Sequence, residues 1–280
     1  MRPTTLGVIG LGAIGGSVAR QAKQAGIATV LGWSPDQAER AAALQQRAID
    51  DAPDQTAAVA RAADLLVLAA PPAANLQLLE ALHPLLRRDA LVTDVGSVKR
   101  GIVARAEALG IAARFAGSHP LAGTHEHGFA ASRGNLFTGA VVYVTPTQGG
   151  GDAARRVGGF WEGVLGARVV VVDAKAHDTQ MVATSHLPQV IASLLGRYLA
   201  EHAPPGTTLG PGAKDTTRLA ASEPGLWTEI LLMNRDVLLP ALRSLEEPLG
   251  EIERALEHGD AAAVTAWLSR AAVWRRGIGA

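Results

Sequence analysis

Over the first 172 residues, apolar positions come in short runs rich in Val, Ile and Leu, at 6–9, 29–33, 64–69, 90–94, 114–116, 140–145 and 168–172. Alanine-rich stretches with helical spacing fill most of the gaps, notably 16–25, 35–46 and 76–86. Strands alternating with helices predict a mostly parallel, doubly wound sheet covered on both faces. After Asp173 the strand signal stops. The apolar period then predicts helices over 176–201, 226–258 and 260–275. In the last of these, Asp260 can cap the N-terminus, and Val264, Trp267, Leu268, Ala271 and Trp274 form one stripe. The pattern therefore predicts an α/β domain over 1–172 and an all-α domain over 173–280. Long helices in so short a segment cannot bury all their apolar faces alone, which predicts a homodimer through the helical domain.

Composition narrows the function classes. The chain has 280 residues, room for two domains and no third. At 48% hydrophobic and 19% charged, it can bury a core. Lys plus Arg number 26, and so do Asp plus Glu. Zero net charge argues against a nucleic-acid partner and against a polybasic membrane anchor. The absence of cysteine removes thiolate nucleophiles and cysteine-held metal sites. No apolar run approaches a membrane span, and glycines interrupt the N-terminal apolar stretch, so no signal peptide is expected and a cytoplasmic location is.

The N-terminal run continues as LGVIGLGAIG, a strand leading straight into Gly10-x-Gly12-x-x-Gly15. Gly10 suits a tight turn, Gly12 a close backbone approach to a pyrophosphate, and Gly15 the packing of helix on strand. The helix N-terminus supplies amide N–H groups to the phosphates. Gly10, Leu11, Gly12, Ala13, Ile14 and Gly15, with Pro71 after the third strand, are the expected cofactor-binding residues of a Rossmann-type domain. At the end of the second strand, where NAD enzymes carry an acid for the ribose, stands Ser34. Ser34, with Arg40 as counter-charge, tilts the reading toward NADP, while nearby Asp36 keeps NAD open.

Three further segments stand out: DVGSVK at 94–99, GSHPLAG at 117–123 and SHLP at 185–188. The first two are read as loops at the carboxyl ends of strands, where ligands bind in doubly wound sheets, so Ser97 and His119 are expected beside the nicotinamide. Together with HD at 177–178, KDTTR at 214–218 and the helix running from Trp227 to Asn234, these segments make the sequence resemble the prephenate/arogenate dehydrogenases of tyrosine biosynthesis. The resemblance spans nearly the whole chain.

The resemblance implies an NAD(P)-dependent oxidative decarboxylation with no metal, a Rossmann-type domain and an all-α dimerisation domain. His119 then suits the base that takes the ring-hydroxyl proton, and Ser97 would bond the same hydroxyl or orient the imidazole. Arg218 would bind the ring carboxylate, with Lys214 adding positive charge. Ser185, Gln189, Thr124 and His125 would complete the substrate site. Asp178 reads as a first-turn acid stabilising its helix dipole or, by the resemblance, as part of an ionic gate near the substrate entrance. His186 reads as a helix histidine bonded to a neighbour, with Pro188 bending that helix. Some relatives carry His where this chain has Gln189, and Glu where it has His125. Prephenate is the first expectation and arogenate the second. Two other readings share the architecture: a β-hydroxyacid or imine-type dehydrogenase, and a non-catalytic NAD(P)-binding regulator.

Overall fold

The computed structural model describes residues 2–123 and 126–277. By packing, the chain divides into residues 1–234 and 235–280. In the first unit the sheet begins with β1 (Thr5–Ile9), α1 (Ala13–Gln24), β2 (Thr29–Trp33), α2 (Gln37–Gln45), α3 (Thr56–Ala62), β3 (Leu65–Leu68), α4 (Pro72–Leu82) and β4 (Leu91–Asp94). These four strands are parallel in the order β2-β1-β3-β4. The order reverses between β1 and β3, which opens a crevice at their carboxyl ends. Leu6, Val8, Ile9, Val30 and Leu65–Leu68 are almost wholly buried, as expected of strands covered on both faces.

After α5 (Arg100–Ala108) come β5 (Ala116–Pro120), β6 (Val141–Pro146), α6 (Gly151–Gly163) and β7 (Arg168–Val171). They form a second sheet, with β5 antiparallel to β6 and β6 parallel to β7. A parallel bridge from Val92 to Phe115 joins it to the first. All seven expected strands are present, but the fifth is displaced. Its expected range was 114–116, with GSHP in the loop beyond; instead Gly117–Pro120 is strand, and His119 pairs opposite Tyr143. Buried hydrogen bonds account for the shift. The Ser118 hydroxyl lies 2.7 Å from that of Thr93 and accepts from Trp161 Nε1 at 2.9 Å. Pro120 sits at the strand's end, where its missing N–H costs least.

The helical part of this unit comprises α7 (Ala174–Met181), α8 (Leu187–His202), α9 (Pro211–Thr217) and α10 (Pro224–Met233). The single helix expected over 176–201 is interrupted by a π-helical turn, Val182–His186. Pro188 cannot donate to residue 184, and the widened turn accommodates this loss, with Leu187 N–H reaching back five residues to Val182. Ile191, Leu194 and Tyr198 leave an exposed apolar stripe on α8.

The second unit holds α11 (Arg235–Arg243), α12 (Glu246–Glu257) and α13 (Ala261–Gly277). The helix expected over 226–258 is thus three helices. Within this unit Trp267 Nε1 donates to the Pro248 carbonyl at 3.0 Å and Arg270 pairs with Glu251 at 2.6 Å. Leu249, Leu256, Leu268, Val273 and Trp274 remain exposed. Among the described residues, no helix is long and apolar enough to cross a membrane.

Gly10 has φ +98°, and a Cβ on Gly15 would lie 1.8 Å from the Gly10 carbonyl oxygen. Backbone cannot yield as a side chain can. Gly15→Ala is therefore expected to destabilise the protein by about 1–3 kcal/mol or more, the range for over-packing. A wild-type denaturation midpoint in the purified variant would refute this packing.

Candidate active site

At the switch point lies a cleft of about 560 Å³. Gly10, Leu11 and Gly12 form one wall, Ser34 and Glu39 another, and Ala69, Ala70 and Pro71 a third. A Cβ at Gly12 would meet nothing within 4 Å, so its missing side chain leaves open space at the start of α1 rather than serving internal packing. Open backbone at a helix N-terminus, with apolar walls to either side, is what a dinucleotide needs. Of the expected cofactor residues, Gly10, Leu11, Gly12, Ser34 and Pro71 line this cleft, while Ala13, Ile14 and Gly15 form the first turn of α1. Arg40 is not among the lining residues; its guanidinium lies 3.8 Å from Asp54. The Ser34 hydroxyl donates to Glu39 Oε2 at 2.5 Å and accepts from Asp36 N–H at 3.2 Å. The two side chains that favoured NADP are thus both engaged within the protein.

Beyond β4, the turn holding Ser97 leads to Lys99, which is fully buried. Its ammonium donates to Asp94 Oδ2 and, at 2.8 Å, to the Ser118 carbonyl. Burial draws the Lys99 pKa down, and Asp94 opposes the shift. This pair ties the turn to the strand that carries His119.

His119 is itself almost buried, and its Nδ1 lies 2.9 Å from Nε2 of His177. His177 Nδ1 lies 2.8 Å from Asp178 Oδ1. The carboxylate can only accept, so His177 donates from Nδ1; as a neutral ring it then accepts at Nε2 and leaves His119 donating from Nδ1. The lone pair of His119 then sits on Nε2, which makes no hydrogen bond to the described residues. Burial lowers the His119 pKa well below the usual imidazole value, and His177, Lys99 and His186 add to the effect. The site therefore holds a neutral imidazole with its accepting nitrogen available, which is the state a general base requires.

Asp178 corrects an expectation. It is neither at an entrance nor in the first turn of its own helix; it is 1% exposed. Its oxygens accept from Lys99 N–H at 2.7 Å, Arg100 N–H at 3.0 Å and Arg100 Nε at 3.2 Å, so it caps α5 across the fold. Burial would raise its pKa, but bonds from His177 and these backbone amides hold it below the usual carboxylate value. Asn234 completes the cluster. Its Nδ2 donates to the Asp178 carbonyl at 2.8 Å and lies 3.1 Å from His186 Nδ1, while its Oδ1 accepts from Arg100 at 2.8 Å.

A second cleft, of about 490 Å³, is lined by Gly123, Glu126, Arg133, Arg218, Leu219, Ser222 and Trp227. Gly123 follows His119 by four residues, and a Cβ there would sit 3.6 Å from Ile14 of the glycine turn. Arg218 is exposed in this cleft.

These features agree with comparisons to known proteins. Residues 18–171 match the prephenate dehydrogenase nucleotide-binding domain, and residues 173–270 the prephenate dehydrogenase dimerization domain. The chain belongs to the prephenate dehydrogenase family. It is 33% identical over 265 residues to a prephenate dehydrogenase of Lactococcus lactis, covering 92% of this chain and 72% of that one. Among solved structures, prephenate dehydrogenase from A. aeolicus in complex with hydroxyphenyl propionate and NAD+ has a TM-score of 0.89 and 27% identity, over 98% of both chains. Synechocystis arogenate dehydrogenase has a TM-score of 0.81 and 27% identity, over 97% of this chain and 99% of that one.

The residues expected in this prephenate dehydrogenase family member's substrate site divide into groups. Arg218 lines the second cleft. Gln189 is buried and spent internally: its amide donates to the Leu219 carbonyl at 2.8 Å and accepts from Ser222 at 3.4 Å, which anchors the segment bearing Arg218. Lys214 is exposed on α9 and outside the cleft lining, and half-buried Ser185 lies in the π turn. Thr124 and His125 lie outside the described residues. Ser97 is half-buried and makes no hydrogen bond to His119 among the described residues; His177 orients that imidazole instead. The role of His177 was missed, although HD at 177–178 was the available signal.

His186 is wholly buried in the π turn with its pKa lowered to about 4, mainly by burial. The folded chain keeps it neutral down to that pH, while the unfolded chain protonates it below about 6.5. The unfolded state thus binds more protons in this window, and stability falls as pH drops from about 6.5 toward 4. His119 acts in the same direction. Thermal unfolding measured across this range is expected to show the loss, and a midpoint that holds steady or rises on acidification would contradict it.

Proposed function

We propose that this protein is an NAD(P)-dependent dehydrogenase that oxidatively decarboxylates prephenate to 4-hydroxyphenylpyruvate, or arogenate to tyrosine, in tyrosine biosynthesis. The observation that carries the reading is the hydrogen-bonded series His119–His177–Asp178, which ends in an available Nε2. Bound NAD(P)+ supplies the hydride acceptor. The residues suited to holding it are Gly10–Gly12, the start of α1 and the walls formed by Ala69–Pro71.

His119 Nε2 takes the ring-hydroxyl proton as the carbon bearing that oxygen loses its hydride and becomes carbonyl-like. Loss of the ring carboxylate as CO2 then returns an electron pair to the ring, which aromatises. The reaction releases no net proton, so His119 gives the proton back to the phenolic oxygen. His177 and Asp178 act through His119: they select its tautomer and stabilise the imidazolium while it lasts. Ser97, on the turn tied down by Lys99, is assigned to the same hydroxyl. Arg218 is assigned to a substrate carboxylate, where a guanidinium fork can make two bonds. The helical part from residue 173 serves substrate binding and homodimerisation, a role supported by the apolar stripe on α8.

Mixing the protein with either cofactor and either substrate, and following absorbance of the reduced nicotinamide, tests the reading directly. Turnover is expected in at least one combination, and none in all four would end it. His119→Asn is expected to lower kcat at least about 10²-fold with little change in cofactor affinity, because the imidazole acts in the transition state. A wild-type kcat would remove His119 from the mechanism.

A further inference from the structure

The end of β2 carries an arrangement that the Rossmann pattern alone does not suggest. In that pattern an acid at the strand's end receives the ribose hydroxyls of NAD. Here the position is Ser34, which is 2% exposed and has its hydroxyl committed to Glu39. Glu39 lies in the first turn of α2 and is one of the residues lining the nucleotide cleft. Two donors hold it there: Ser34 Oγ at 2.5 Å on Oε2 and Phe129 N–H at 3.1 Å on Oε1. A carboxylate offers about four lone-pair sites, so two bonds leave acceptor capacity on a residue of the cleft lining.

The surrounding charges point the same way. The N-terminus of α2 would attract an anion, but the Asp36 side chain caps it, accepting from Ala38 N–H at 2.7 Å. Arg40, the nearby cation, lies beside Asp54 and outside the cleft lining. A 2′-phosphate placed here would face one fixed carboxylate, with a second at the helix end. A ribose 2′-hydroxyl would find an acceptor already oriented.

We infer that Glu39, supplied from the helix after β2 and positioned by Ser34 and the Phe129 amide, is the residue that makes this enzyme select NAD over NADP. Glu39 takes the place of the usual strand-end acid, and Ser34 serves to aim it rather than to receive a phosphate. The inference rests on the cleft being the nucleotide site of the dehydrogenase described above.

Calorimetric titration of the chain with NAD+ and with NADP+, without substrate, tests the assignment apart from turnover. Wild type is expected to bind NAD+ at least about tenfold more tightly, since juxtaposed like charges discriminate strongly. Glu39→Gln keeps the size and removes the charge. It is expected to shrink the preference at least about tenfold, chiefly by a gain in NADP+ affinity. Arg40→Ala is expected to leave the ratio unmoved. Equal affinities in wild type, an unmoved ratio in Glu39→Gln, or selective loss of NADP+ binding in Arg40→Ala would each overturn the role of Glu39. If neither nucleotide binds wild type, the cleft assignment falls and this inference with it. Circular dichroism of Glu39→Gln should match wild type, so that a changed ratio reports charge and not unfolding.

Discussion

The buried carboxylate of Asp178 is the interaction on which the rest of the site depends. It accepts from two backbone amides at the start of α5, from the Arg100 guanidinium and from His177. An unpaired carboxylate at 1% exposure would be strongly destabilising; four donors make it tenable. Three of these bonds join the start of α5 to α7, and the fourth fixes the orientation of the His177 ring. Through that ring it determines which nitrogen of His119 carries the proton. One capping interaction thus ties α7 to α5 and, through His177, orients His119.

Burial then does electrostatic work at His119. A dry, low-dielectric site disfavours the imidazolium, as does the buried ammonium of Lys99. Lys99 is itself tolerable only because Asp94 and the Ser118 carbonyl satisfy it. Lys99 also links the turn that carries Ser97 to the strand that carries His119. The structural ties around this histidine are therefore also the groups that set its protonation.

Much of this was legible in the sequence because it is local. Seven strands, the glycine turn and the start of the helical part follow from hydrophobic runs and from residues with special backbone freedom. What the local pattern did not reveal shares a different cause. GSHP looked like a loop because Gly and Pro mark turns, yet Thr93 and Trp161 provide buried partners for Ser118 that no local pattern reveals. Asp178 looked like a helix-end acid, and its partners lie nearly eighty residues earlier. Gln189 looked like a substrate contact, and its amide is spent on Leu219 and Ser222. Ser34 and Arg40 were read as phosphate ligands, and the fold sets Glu39 beside the first and Asp54 beside the second.

By itself, then, the sequence determined the order of elements, the glycine turn and the motif that places His119 among the candidate site residues. These depend on near-neighbour sterics, on periodicity and on residue types arranged along one stretch of chain. Only the tertiary structure decided the protonation pattern, the tie through His177 and the charge facing the nucleotide cleft. The physical reason is that hydrogen-bond satisfaction and desolvation are set by which groups meet in space. A carboxylate's role depends on the donors that reach it, and those donors come from other elements.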